Sequence, residues 1–566
     1  NLFDVQQVEV LRGPQAGAFG ANAAGGMIRI VTNDPTPYWT GQVEGTVGND
    51  SLFAGGFAVG GPLLEDDYEK LTFRFALHQL VQNGFRENVF LDKDDTNERE
   101  ELTTRLKLRW LVNDSWQLDG QFFYADIDNG FDEFTLQNSR TRTYSDQPGR
   151  DEQESFGTSW KANWTGDQIE VVSTTSYIGT DSTYSFDGDW TDTATAGLFG
   201  SSFLEIERDR DVVSQDIRIN STAQQGALGF IDRWTLGLYY ETLEENTSTT
   251  GFGTFKTDFE SETISLYGQA THEFSDETRL TLGLRIEEYD LNTEIDFRAD
   301  DNFDDTLFGG KLTLEHDINK EHTAFASIAR GYKAGGANIY PFIDPAIPVT
   351  YDTEYLWNYE LGLRSELFDG AVTSQITLFY LDRNETQVRG SSGAGIAFSY
   401  FTVNGDSADH YGAEAEATWF INEQFTLHVA GGLLETDRDA FAVSGIPTVM
   451  FGSGDVSNAP NFTYSARLDY EANNGLFAST EVVVSDEYFE SDSTDNRDQR
   501  KRNAFAVVNA SIGYRYENWT FTIWSKNLLG EDYEERVFFF DNGAGEQHYE
   551  APAAPRTFGV TANYSW

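Results

Sequence analysis

The chain has 566 residues, 93 carboxylates against 39 lysines and arginines, and a formal net charge of −54. That balance argues against nucleic acid, whose binding needs clustered cations, and the lack of cysteine removes disulfides, thiolate nucleophiles and cysteine-held metals together. Aromatic residues reach 14% although mean hydropathy is −0.47, and no apolar run of about eighteen residues is present to make a spanning helix.

The first predicted element lies in the stretch from Glu9 to Thr32. Between Gly13 and Gly26 ten of fourteen residues are glycine or alanine, a composition suited to tight turns and close backbone approach. It breaks into Met27, Ile28, Ile30 and Val31, a short strand. No signal peptide is visible before it, and the chain is expected to be processed or truncated at its start.

From about Thr40 to Trp566 apolar and polar residues alternate by twos. Leu102, Thr104, Leu106, Leu108, Trp110 and Val112 share one face of a strand, with Thr103, Arg105, Lys107 and Arg109 on the other. The closing segment repeats this, with Phe558, Val560, Ala562, Tyr564 and Trp566 on one face. The period predicts twenty-two strands over 40–48, 52–60, 70–83, 99–112, 116–128, 152–164, 168–186, 206–220, 228–247, 257–274, 278–297, 303–317, 321–334, 353–367, 371–389, 398–419, 424–437, 460–472, 476–490, 503–516, 519–530 and 555–566.

Connections after even-numbered strands are mostly tiny, such as Asn113-Asp114-Ser115, Ser275-Asp276-Glu277 and Glu517-Asn518. Those after odd-numbered strands are mostly long: 84–98, 129–151, 187–205, 335–352, 438–459 and 531–554. Short turns at one end and long loops at the other are how transmembrane barrels are built. Trp110, Trp116, Trp164, Trp234, Trp419, Trp519 and Trp566 fall near the short-turn end, as an interfacial girdle would. The expected fold is all-β: a 22-stranded antiparallel transmembrane β-barrel, whose closure pairs every backbone group within the bilayer. Glu414 and Glu416 are expected to face the lumen, opposite Ala413, Ala415 and Ala417. A lumen of this size is too wide for side chains to fill, so a plug is expected within it.

The wording "VEVLRGPQAGAFGANAAGGMIRIVTNDP", from Val8 to Pro35, resembles the end of the plug domain in TonB-dependent outer-membrane receptors. "GYKAGGAN" at 331–338, "WNYELGLRSELFDGAV" at 357–372, "NAPNFTYSARLDY" at 458–470, "NLLGEDYEE" at 527–535 and the final "PRTFGVTANYSW" extend the resemblance along the whole chain. It implies residues 1–36 as the C-terminal remnant of a plug and 37–566 as the barrel, with the earlier plug strands and the TonB box missing. It further implies a monomeric barrel in the outer membrane of a Gram-negative bacterium, in contact with lipid and lipopolysaccharide. The TonB–ExbB–ExbD complex would drive import of a small-molecule ligand without covalent chemistry. Glu9 and Arg12 correspond to plug residues that act as a latch on lumen charges, although Arg12 could equally satisfy local carbonyls.

The implied full length suits iron-siderophore receptors, so a ferric chelate is the expected cargo and no resident cofactor is expected. Cobalamin, an oligosaccharide, or a passive or structural barrel are the alternatives. Haem is disfavoured, because the place of the haem-receptor motif reads "ARGYKAGGAN" and histidine is scarce. Loop aromatics including Phe186, Trp190, Phe199, Phe203, Tyr340, Phe342 and Phe538 to Phe540 could stack on a ligand or pack the loops together. Arg140, Arg142 and Arg150 in one loop, with Arg497, Arg500, Lys501 and Arg502 in another, could bind an anionic ferric chelate, contact lipopolysaccharide phosphates or pair with nearby aspartates. Acidic stretches at 92–100, 300–305 and 486–498 could hold Ca²⁺ or stay solvated; none fits an EF-hand. His316 and His322 flank one turn without a third ligand, and no metal site is predicted. No catalytic triad, P-loop or zinc motif appears, so no catalytic residues and no enzyme are predicted.

Overall fold

The computed structural model describes residues 2–15, 17, 20, 23–192, 195, 203–222, 231–251, 253–298, 301–339, 343, 345–392, 399–443, 450–491, 501–541 and 546–566. Twenty-two antiparallel strands close into one barrel. They run from Thr40–Gly48 to Thr557–Ser565, and each pairs with its neighbour in sequence. The seam is sealed where these first and last strands pair, with Thr46 opposite Thr561. Gly41 and Trp566 exchange two backbone hydrogen bonds of 3.0 Å there. Closure leaves no sheet edge for the bilayer to strand.

The wall is uneven in height. Thr40–Gly48 has 9 residues, Trp519–Lys526 has 8 and Thr557–Ser565 has 9, close to the minimum that crosses a bilayer. On the other side Ile169–Asp187 has 19 and Thr254–Ser275 has 22. At about 3.3 Å per residue the tallest strand is roughly 70 Å long, more than twice the shortest. The tall side therefore stands well clear of the membrane at the long-loop end.

The alternating faces sort as the sequence predicts. Leu236, Leu238, Ile264, Leu266, Leu282, Leu284 and Ile286 form a band of exposed large apolar side chains on adjacent strands. Trp110, Trp116, Trp419 and Trp519 are exposed with them near the short turns. At the upper edge of the band, outward tyrosines meet outward carboxylates. Tyr124 donates to Glu154 at 3.1 Å, Tyr177 to Asp211 at 2.6 Å and Tyr380 to Asp409 at 2.6 Å.

Among the described residues two stretches depart from the predicted elements. The strand expected over 476–490 leaves the barrel after Ser485, and Tyr488–Phe489 pairs with Lys501–Arg502 outside it. The predicted strands 371–389 and 398–419 are Val372–Asn384 and Ser407–Phe420, and between them Gln387–Ser392 pairs with Ser399–Asn404 as a separate loop hairpin. A period of two says that a segment is extended; it does not say which sheet the segment joins. Here a left-handed residue, Glu385 with φ of 53°, breaks the first strand, and Gly405 precedes the second.

Candidate functional site

Residues Val5–Arg12 and Gly26–Thr32 form an antiparallel hairpin that belongs to no part of the barrel sheet. Its last pair, Arg12 with Gly26, requires glycine: φ is 141°, and a Cβ would stand 2.5 Å from the Leu11 carbonyl oxygen. Alternation gives the hairpin an exposed apolar face of Val8, Val10, Ile28 and Ile30.

On one side the hairpin is anchored to the third and fourth barrel strands, Leu71–Gln82 and Arg99–Asn113. Arg74 Nε donates to Asp4 Oδ2 at 3.0 Å, and Asn33 Nδ2 donates to Asp4 Oδ1 at 2.8 Å. Both charged groups are sequestered, with side chains 10% and 2% exposed. Arg105 donates to the Phe3 carbonyl, and the Phe3 ring packs on Ala58 and Ala76. Lys107 donates to the Thr32 carbonyl at 2.9 Å, and Asp34 takes Lys107 at 3.2 Å and Arg109 at 3.1 Å. Desolvation pushes the Asp34 carboxyl up, but Arg109 and Lys107 outweigh it and hold the group below its ordinary value.

On the other side Arg12 reaches Glu414 at 3.3 Å and Glu416 at 2.9 Å on Ser407–Phe420. These pairs are open to water, the three side chains being 36–47% exposed. Beyond Arg12 the chain turns through Gly13, beside Asn358 and Glu360 of Glu354–Leu367. It then passes Gly20, whose missing Cβ would lie 2.7 Å from the Arg285 guanidinium. Leu71–Gln82 and Glu354–Leu367 are the third and fourteenth strands, half the barrel's circumference apart. A segment touching both crosses the lumen.

Glu9, expected to meet lumen charges, instead accepts from Arg29 at 3.1 Å within the hairpin. Arg140 joins two loops, meeting Asp532 at 3.2 Å and the Tyr533 carbonyl at 3.2 Å. Arg142 is exposed, on a two-residue parallel bridge opposite Glu87. Arg150 points away from the lumen to Glu152 and Glu205. Trp190 is buried, 5.5 Å from Phe134 and 4.5 Å from Tyr549 between ring centroids, so it packs three loops together. Phe203 opens a barrel strand opposite Asp187. Tyr340, Arg500, Phe199, Phe342 and Arg497 lie outside the described residues.

Among the described residues the long loops carry two apolar cores. Ile343, Ile347, Val388, Phe401, Val443 and Phe451 form one; Phe134, Trp190, Tyr549 and Ala551 form the other. Sequence reasoning missed Asp132, which ties two loops by accepting from Asn88 at 2.9 Å, Thr143 at 2.6 Å and Ser145 at 2.8 Å. Nothing in its local sequence marks it. Among the described residues no three histidine or carboxylate side chains converge to hold a metal ion.

The family model described as TonB dependent receptor-like, beta-barrel matches residues 39–528. The chain belongs to that family. Among its relatives is the pesticin receptor of Yersinia pestis, 24% identical over 578 residues, which cover 96% of this chain and 79% of that protein. The vitamin B12 transporter BtuB of Photobacterium profundum is 23% identical over 377 residues, 66% of this chain and 54% of its own. In fold, the ferric yersiniabactin uptake receptor FyuA from Yersinia pestis superposes with a TM-score of 0.85 at 19% identity, over 100% of this chain and 85% of that one. The siderophore receptor PiuA from Acinetobacter baumannii superposes with a TM-score of 0.81 at 13% identity, over 100% and 87%. As a TonB-dependent receptor barrel, the protein resides in the outer membrane of a Gram-negative bacterium.

Proposed function

We propose that this receptor imports a ferric siderophore, energised by the TonB–ExbB–ExbD complex, and catalyses no covalent reaction. The observation that carries the reading is the hairpin across the lumen, held by ion pairs to opposite walls. A passive pore has no use for such a crossbar. The siderophore receptors of like fold, PiuA and FyuA, support the choice of cargo.

In this reading residues 1–36 are the end of a plug and 37–566 the barrel. Arg12 with Glu414 and Glu416 is the latch, while Glu9 pairs with Arg29 within the hairpin and takes no part in it. The latch is exposed and weak, whereas the Asp4–Arg74 anchor is buried, so that removing either partner alone is costly. The cargo is a small chelate admitted between the loops; outer-membrane lipid and lipopolysaccharide surround a monomeric barrel, and any Ca²⁺ is confined to loop carboxylates.

The test is iron-limited growth of a receptor-deficient Gram-negative host expressing the full-length protein, supplied with one ferric chelate at a time. Growth on at least one chelate is expected. Rescue by none of them, with rescue of a cobalamin auxotroph by vitamin B12, would reassign the cargo.

A further inference from the structure

The strand Phe203–Ser221 contains the run Glu207-Arg208-Asp209-Arg210-Asp211. Alternation splits it into carboxylates on one face and guanidiniums on the other. The lumen side is fixed by contact. Gly20 of the crossing segment lies against Arg285, whose guanidinium sits 5.4 Å from the rings of Tyr239 and Tyr267. Tyr267 donates to Asp216 at 2.6 Å. Asp216 therefore faces inward, and the pairing of this strand with both neighbours is continuous, so Arg210 and Arg208 face inward too.

Their surroundings leave positive charge uncancelled. Across the inner face, Arg208 is flanked by Ser182 and Thr247, with Gln153 and Thr257 beyond them. Arg210 is flanked by Thr180 and Glu245. Glu245 is thus the lateral carboxylate of both: Arg210 Nε donates to it at 2.7 Å, and Arg208 Nε stands 3.8 Å away. Glu245 is buried, while the Arg208 and Arg210 side chains remain 32% and 50% exposed. Two guanidiniums share one carboxylate and keep open faces. By contrast Arg285 and Arg383 each meet a buried carboxylate of their own, Glu287 and Glu354.

The outer face of the same wall is the opposite. Asp126, Glu154, Asp181 and Asp209 stand directly across from one another on four successive strands. Like charges so paired destabilise a sheet, so the sorting of arginine inward and carboxylate outward is not a by-product of strand pairing.

Arg210 lies eight residues above Arg218, whose row on the wall contains Gly237, Tyr267 and Arg285. At about 3.3 Å per residue that is roughly 25 Å along the strand from the hairpin's apex, toward the long loops. We propose that Arg208 and Arg210 form an anion subsite on the inner wall of the extracellular vestibule, which takes the anionic oxygen donors of a ferric chelate before it descends to the hairpin. The proposal rests on the import reading and adds the charge of its cargo. Guanidinium presents paired donors suited to carboxylate and catecholate oxygens, and Glu245 sets how much positive charge is on offer.

The test uses full-length purified protein and tryptophan-fluorescence titration with two probes. One is the ferric complex of a hexadentate tricatecholate, a trianion; the other is the neutral ferric complex of a trihydroxamate. R208Q/R210Q is expected to weaken trianion binding about tenfold or more and neutral binding by less than about twofold. E245Q, which removes the shared carboxylate and keeps its shape, is expected to tighten trianion binding severalfold. A merely structural cluster would weaken in both variants. Unchanged trianion binding in R208Q/R210Q, equal loss for both probes, or weaker trianion binding in E245Q overturns the subsite. Wild-type binding of the neutral probe alone, or of neither probe, overturns the subsite, and the import reading is then decided by the growth test.

Discussion

Replacing Asp4 by asparagine should loosen the hairpin far more than replacing Arg12 by alanine, although Arg12 has two ionic partners and Asp4 one. Asparagine keeps the shape of Asp4 and tolerates its left-handed φ of 57°, so the change isolates the charge. What remains is the Arg74 guanidinium, its side chain 10% exposed, hydrogen-bonded at 3.0 Å to Thr40 Oγ1 and to a neutral amide oxygen, with no carboxylate to balance its charge. Stranding one partner of a buried pair costs about 3–5 kcal/mol. At about 1.4 kcal/mol per decade, the hairpin's opening equilibrium should rise at least a hundredfold. Both Arg12 pairs are solvated, and exposed pairs are worth about 0.2–1 kcal/mol each. Their joint loss should raise opening by about thirtyfold at most. Amide exchange at residues 5–12 and 26–32, read against barrel-strand amides that should not change, measures both. Equal acceleration in the two variants, or more in R12A, would refute the assignment of base and latch.

Other consequences are separable. Because the Asp34 carboxyl is held below its ordinary value, the stability it lends is fully present above about pH 4 and is lost as pH falls through the depressed folded value. Exchange at residues 32–36 should therefore quicken in strong acid, and a D34N variant should show a flatter pH response; identical profiles would dismiss this linkage. W190A removes the ring between Phe134 and Tyr549 and should cost about 3–5 kcal/mol locally, seen as limited proteolysis of the loops at 132–148 and 527–556 with the barrel intact. D132A strands the Thr143 and Ser145 hydroxyls, at about 1–3 kcal/mol each, while Asn88 Nδ2 keeps its 2.9 Å bond to the Ser145 carbonyl, and should open the loops at 83–98 and 132–148 to protease together. Cleavage of only one of the two would contradict the tie.

The barrel was legible because its physics is local. A wall with lipid on one side and water on the other writes a period of two into each strand, and loop length alternates with the side of the membrane. The strand expected at 40–48 is Thr40–Gly48 without change, and that at 116–128 extends by three residues to Trp116–Phe131. The same rule hid the loop hairpin at 387–404, since extended segments outside the wall alternate too. The proposed vestibule arginines were hard to find because cation clusters in sequence are not clusters in space. Arg140 is spent on Asp532, and Arg150 looks outward. The informative signal was Glu-Arg-Asp-Arg-Asp at 207–211, which registers as a neutral mixture until strand parity separates its faces. Asp132 and Asp4 gather partners from distant segments, which no local pattern reports.

The most direct test of import through a gated barrel is uptake of a radioiron-labelled chelate by receptor-deficient cells expressing the full-length protein, with and without functional TonB. Accumulation that depends on the receptor and stops without TonB is the predicted result. Accumulation that continues at the same rate without TonB would mean an open pore, and the crossing hairpin would then not be a gate.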